Sequence, residues 1–177
     1  MEISEIKVLE TDIELERQDG SKVKISDLND KVWVAVQFYV SCPMCAERNA
    51  EHLLEVYREF KDDPDFRVIC LSVDPDDDSP EKFQEIRELL NVDTANWWFL
   101  KTERQALWDY MRNEMLFGDI RERTSPLEAA AKGKWSHDLG IQVYRGDTMI
   151  MKWHAGVPFD ELRAEVKDAL VEIKEQP

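Results

Sequence analysis

The stretch Val32-Trp33-Val34-Ala35-Val36-Gln37-Phe38-Tyr39-Val40-Ser41-Cys42-Pro43-Met44-Cys45 decides the fold. Its first nine residues are nearly all β-branched or aromatic, which reads as a strand buried on both faces. Two cysteines follow at i and i+3 with a proline between them. A helical pattern comes next, with Ala46, Ala50, Leu53, Leu54 and Tyr57 on one face and charges between them. Pro43 is tolerated at the first helical position, because an N–H there has no intrahelical partner. A strand running through C-x-x-C into a helix sets both sulfurs at a helix N-terminus. Unsatisfied N–H groups and the helix dipole stabilise a thiolate in that place.

Upstream, Ile13 and Leu15 alternate towards Asp19-Gly20, and Val23 and Ile25 continue beyond it, the pattern of a β-hairpin. Downstream, Asp62-Asp63-Pro64 ends the helix, and residues 66–73 (FRVICLSV) form a second buried strand. Asp74-Pro75-Asp76-Asp77-Asp78 is a loop. Ser79 caps the next helix, with Pro80 at its first position and Phe83, Ile86, Leu89 and Leu90 towards the core. Residues 97–100 are extended. Thr102 and Gln105 suggest a capping box for a helix carrying Leu107, Tyr110 and Met111.

Residues 117–135 are polar, contain Gly118, Pro126 and Gly133, and read as an inserted loop with one helical turn at 127–132. Residues 139–144 and 148–153 form a hairpin through Gly146-Asp147, which closes the sheet with an antiparallel edge. A final helix starts at Pro158 and carries Phe159, Leu162, Val166, Ala169, Leu170 and Ile173.

Strands alternating with helices imply βαβ units and parallel pairing. The expectation is an α/β, thioredoxin-like fold: one domain over residues 1–177, with a central mixed sheet flanked by helices, an N-terminal β-hairpin and an inserted loop near 117–135. A chain of 177 residues matches roughly one domain at about 150 residues each.

Composition excludes several classes of function. The 38 acidic residues outnumber the 23 basic ones, for a net charge of −15. That argues against a phosphate backbone, which needs clustered Lys and Arg, and against an anionic membrane surface. No apolar run approaches the ~20 residues of a transmembrane helix. Residues 1–10 have neither a basic n-region nor an apolar h-region. The expected location is cytoplasmic if Met1 is the native start, and exported or membrane-anchored if an N-terminal segment has been removed.

The three cysteines are too few for a disulfide scaffold. Cys42 is expected to be the more exposed, lower-pKa sulfur and the nucleophile, with Cys45 as resolving partner one turn on. The pair can bond to each other or grip one soft metal ion. A structural zinc site needs four ligands, and no second C-x-x-C or H-x-x-H exists. Cys70, in mid-strand, reads as a small buried hydrophobe.

Among the three histidines, His52 lies about 10 Å along the helix from Cys45 and reads as a surface residue. His154 reads as a partly exposed strand end. His137, in Trp135-Ser136-His137-Asp138, precedes a strand whose entry loop would pack beside the dithiol. It could complete a Cys₂His site, pass protons during thiol exchange, or simply bond to Asp138. Asp74, Asp76, Asp78 and Glu85 imitate a calcium loop. Ser79 stands where that loop needs glycine, and a strand precedes it where a helix should. The aspartates read instead as a solvated loop on the dithiol's edge of the sheet. The six tryptophans read as core and rim.

Together these residues resemble the SCO/SenC family of thioredoxin-fold proteins. The resemblance spans about residues 12–173. It rests on the Asp-Gly hairpin, on Phe38-Tyr39-Val40-Ser41-Cys42-Pro43, and on Leu71-Ser72-Val73-Asp74-Pro75-Asp76-Asp77-Asp78-Ser79-Pro80-Glu81. It continues in Trp98-Phe99-Leu100 and in Ser136-His137 before a strand with a Gly-Asp turn. The resemblance implies copper on two cysteines and one histidine, which here would be Cys42, Cys45 and His137. It also implies a part in assembling the copper centre of cytochrome oxidase, or thiol–disulfide reduction. The family's pair is typically C-x-x-x-C; the pair here is one residue shorter, and no proline precedes His137 where thioredoxins place a cis-proline.

The leading expectation is therefore a dithiol protein acting as a thiol–disulfide oxidoreductase at Cys42 and Cys45, on a protein client with a disulfide or a copper site. The redox reading requires no cofactor. The alternative is a copper-binding metallochaperone using Cys42, Cys45 and His137. A peroxiredoxin-like peroxidase is weakest, because no Pro-x-x-x-Thr-x-x-Cys setting precedes Cys42. The chain is expected to be a monomer that binds no nucleic acid.

Overall fold

A computed structural model describes residues 5–42 and 50–176. Strands β1 (Lys7–Val8), β2 (Glu14–Arg17) and β3 (Lys22–Lys24) lead through a 3-10 turn at Ile25–Leu28 to β4 (Val32–Phe38). Then come α1 (Ala50–Phe60), β5 (Phe66–Ser72), α2 (Pro80–Leu90), β6 (Trp97–Lys101), α3 (Arg104–Asp109) and a π turn at Tyr110–Glu114. The chain ends with β7 (Arg121–Glu122), α4 (Pro126–Lys132), β8 (Trp135–Ser136), β9 (Ile141–Arg145), β10 (Thr148–Trp153) and α5 (Phe159–Glu175).

Eight strands form one mixed sheet in the order β1-β10-β9-β4-β5-β6-β2-β3. The centre is parallel: β4 pairs with β5 from Val32↔Phe66 to Phe38↔Ser72, and β5 with β6. On the other side of β4, β9 runs antiparallel to it. The β2–β3 hairpin turns at Gly20, where φ of +85° suits glycine, and pairs with β6. The β9–β10 hairpin is not the edge of the sheet, because β1 adds outside β10.

All seven residues of β4 are buried, as its composition requires. Its side chains alternate between two cores. Val32, Val34, Val36 and Phe38 face the core covered by α1, α2 and α5. Trp33 and Ala35 face the core covered by the 3-10 turn, α3 and the π turn. On that second face Trp33 stacks on Tyr144, its partner in β9, with ring centroids 3.9 Å apart. Such a pair contributes about 1 kcal/mol beyond its buried area.

Two local expectations are corrected. Glu103 rather than Thr102 caps α3, its carboxylate accepting from the N–H groups of Gln105 and Ala106 at 3.0 and 2.8 Å. A carboxylate there satisfies two orphan donors and meets the positive end of the helix dipole as well. Residues 117–135 carry the expected helical turn, as α4, but the rest of the segment is not a plain loop. Strands β7 and β8 pair as Arg121↔Ser136 and Glu122↔Trp135, and α4 closes the excursion behind the Ser125 cap and Pro126. The Arg123 guanidinium holds it, donating to the carbonyls of Lys132, Gly133 and Trp135. Order of that origin leaves no hydrophobic period in the sequence.

Candidate functional site

The carboxyl end of β4 carries Tyr39 and then Cys42, which reaches a small buried cluster with Val73 and Trp135. Cys42 is disulfide-bonded. It is 7% exposed and clusters with Tyr39, Val73 and Trp135; the expected contrast in exposure with Cys45 falls outside the described residues. Cys70 is a free thiol, buried in the core under α1, α2 and α5, and burial pushes its pKa well above the ordinary range. Cys45, the expected resolving cysteine, and the expected first turn of the following helix lie outside the described residues.

Two loops meet this strand end. One follows β5. Asp78 is 1% exposed, not solvated as expected, because it turns inward. Its carboxylate accepts the Val40 N–H at 3.0 Å and the Ser72 hydroxyl at 2.7 Å. Burial pushes its pKa up to about 6, against the lowering effect of those two bonds. Lys101 donates to the carbonyl of Asp78 at 2.9 Å. Asp77, on the rim, accepts from the Ser41 hydroxyl at 3.3 Å and pairs with Lys82 at 2.7 Å.

The second loop precedes β9 and carries His137, which is half-buried. The Tyr39 hydroxyl accepts the Trp135 N–H and donates to the Trp135 carbonyl, both at 3.1 Å. The Tyr39 ring meets the His137 imidazole edge-on, with centroids 5.7 Å apart. His137 Nδ1 lies 2.8 Å from the Asp138 carbonyl. A carbonyl only accepts, so Nδ1 carries the proton and, in the neutral ring, Nε2 carries the lone pair. Burial lowers the His137 pKa, which favours that neutral ring. The Asp138 N–H donates to Gln37 Oε1 at 3.0 Å, and the Asp138 carboxylate accepts from Gly118 and Gly140.

The structure thus brings the His137 loop against the residues that lead into Cys42. Among the described residues, no group of three or more His, Cys, Asp or Glu side chains is gathered to hold a metal ion. His52 is not a plain surface residue. It is half-buried, with the rings of Trp153 and Phe159 each 5.1 Å from its own. His154 is exposed, as expected of a strand end. Sequence reasoning missed Gln37, Tyr39 and Asp78. A polar amide inside an otherwise apolar strand was the one available signal.

A parallel βαβ core and an antiparallel hairpin, with a cysteine beyond the carboxyl end of the central strand, define a thioredoxin-like fold. The family described as SCO1/SenC matches residues 2–100, and the chain belongs to it. The structure is similar to that of a SCO1/SenC family lipoprotein from Bacillus anthracis, with a TM-score of 0.79, 18% identity, and 93% and 96% of the two chains covered. It is similar to BsSco, described by its disulfide switch as a member of the Sco family of cytochrome c oxidase assembly proteins; there the TM-score is 0.71, identity 19%, and coverage 94% and 96%. It is also similar to Arabidopsis thaliana ScoI with copper bound, with a TM-score of 0.70, 14% identity, and 93% and 99% covered. Among the described residues no helix is long and apolar enough to cross a membrane.

Proposed function

We propose that this protein is a thiol–disulfide oxidoreductase of the SCO/SenC family, acting through Cys42 and Cys45 on a copper-site client in cytochrome oxidase assembly. The observation that carries the proposal is the division of the described sulfurs. Cys42, beyond the end of the central strand, is in a disulfide, while Cys70 is a free thiol buried in the core under α1, α2 and α5. In the reduced protein the Cys42 thiolate attacks a client disulfide and one client sulfur leaves as thiolate. Cys45 then attacks Cys42 and releases the client dithiol. Two electrons pass to the client, the protein is left as the disulfide, and an upstream dithiol must reduce it again. The disulfide switch of BsSco supports this chemistry. The lipoprotein relative supports an exported or membrane-anchored setting.

A second reading, copper carriage, is favoured by the His137 tautomer. Two thiolates and a neutral imidazole nitrogen are a donor set that fits a soft copper ion, and copper-bound ScoI supports the assignment. Cys42, Cys45 and His137 would hold the ion as cargo.

One pair of experiments separates the readings. In the redox reading, Cys45→Ser incubated with a disulfide client peptide accumulates a mixed disulfide at Cys42, seen by mass spectrometry. The absence of that adduct, or an adduct at Cys70, sinks the reading. In the carrier reading, a Cu(I) competition titration of the reduced protein gives one tight ion per chain, and His137→Ala weakens it strongly. Loose binding unaffected by that change rejects copper carriage.

A further inference from the structure

We infer that Gln37 is a positioning residue for His137, holding the imidazole so that Nδ1 bears the proton and Nε2 faces its ligand or proton partner as a base. The inference rests on His137 belonging to the site proposed above. Gln37 is 3% exposed and sits in a strand buried along its whole length. Its face of β4 begins with Trp33 and Ala35, so an apolar residue would fill position 37. Burying a primary amide without full hydrogen bonding is unfavourable. Its Nε2 group reaches only a soft acceptor, the Met111 sulfur, at 3.6 Å. The strong bond is the one from the Asp138 N–H to Oε1, at 3.0 Å across 101 residues of sequence.

That N–H belongs to the peptide group attached directly to the His137 Cα. Fixing it fixes the backbone on which the imidazole turns. The next carbonyl, that of Asp138, takes the Nδ1 proton. The Asp138 carboxylate locks the same turn from outside through the N–H groups of Gly118 and Gly140. Gly140 has no room for a side chain, since a Cβ there would lie 3.0 Å from the Trp153 carbonyl oxygen. Two residues on, just past β4, Tyr39 holds Trp135 through both its backbone groups. Gln37 and Tyr39 therefore hold the chain on either side of His137, and from Tyr39 the chain turns through Val40 and Ser41 to Cys42, whose N–H donates to the Tyr39 carbonyl at 3.1 Å. Metal-binding histidines need a partner for the nitrogen that does not bind, here the Asp138 carbonyl whose turn Gln37 holds, and disturbing such a partner costs about 10–100-fold in affinity.

The test uses Gln37→Met, which keeps the volume and removes the acceptor, and Gln37→Glu, which keeps an oxygen in the same place. Each is made alone and with His137→Ala, and each is checked for fold by amide NMR. Gln37→Met is expected to weaken Cu(I) binding about tenfold, to have no further effect once His137 is Ala, and to be largely rescued by Gln37→Glu. In the apo protein, imidazole ¹⁵N shifts should show one His137 tautomer in the wild type and a mixture in Gln37→Met. An equal loss of affinity with and without His137 overturns the inference, and so does an unchanged tautomer. If His137→Ala itself leaves Cu(I) binding intact, copper carriage fails, and the tautomer measurement alone decides the role of Gln37.

Discussion

The loops on the two sides of the β4 terminus do the same job with different chemistry. The loop after β5 is tied to Val40 by the buried carboxyl group of Asp78. The loop before β9 is tied to the same strand by a neutral amide and a phenol, Gln37 and Tyr39. A carboxylate makes stronger bonds to N–H donors, but it resists burial and it titrates. Amides and phenols hold less tightly and do not change with pH in the range where cysteine and histidine do their chemistry. The cysteine end is therefore clamped on one side by a carboxyl group whose pKa is raised to about 6 and on the other by an amide and a phenol hydroxyl.

The largest expected effect comes from breaking the carboxyl clamp. Asp78→Ala leaves the Val40 N–H and the Ser72 hydroxyl without that acceptor in a buried place. At roughly 1–3 kcal/mol for each orphaned group, urea unfolding should report a loss of about 4 kcal/mol. A loss below about 1 kcal/mol would mean that water reaches both donors and that the clamp is not structural.

Asp78→Asn sharpens the comparison, because it keeps an acceptor and removes the titration. The carboxyl pKa is raised from 3.8 to about 6. The folded protein thus holds this proton more tightly than the unfolded chain does. The stability that comes from the proton is complete below 3.8 and is lost as pH rises through about 6. Asp12, Asp63 and Glu114 shift the other way, so the stability they contribute is lost as pH falls. Subtracting wild type from Asp78→Asn isolates the one group. The difference should grow in favour of the variant by up to about 3 kcal/mol between pH 4 and 7. A flat difference would place the Asp78 carboxyl in contact with solvent.

The sequence showed the two clamps unequally. The central strand, the parallel pairing and the Ser79-Pro80 helix start were legible because each is written in a local pattern of burial or capping. His137 was legible only as one of two alternatives, ligand or loop histidine, since its setting depends on Tyr39 and Gln37 from another part of the chain. Asp78 was misread as solvated, because a run of aspartates looks polar whichever one turns inward. The cluster around Cys42 was illegible for another reason: Trp135 comes from the far end of an insertion with no hydrophobic period. Local patterns specify elements; the contacts that tune the site join residues some 40 to 100 apart.

The smallest effect should come from the neutral clamp. Tyr39→Phe removes one oxygen and keeps the ring that meets His137 edge-on. The Trp135 carbonyl still accepts from Arg123 at 2.7 Å, so only the Trp135 N–H loses that acceptor. A single neutral bond of this kind is worth about 1 kcal/mol, well below the Asp78→Ala loss. Global unfolding averages such a change over the whole chain, so amide exchange is the sharper measurement. Exchange at Trp135 should quicken about fivefold while amides in the middle of β4 and β5 keep their rates, because loosening the loop opens it locally without unfolding the sheet. The ratio should not change between pH 5 and 8 after correction for intrinsic exchange, whereas exchange at Val40, on the carboxyl clamp, should follow the titration of Asp78. If Trp135 followed that titration too, the two loops would be one coupled unit, and the distinction between a titrating clamp and a neutral one would fall.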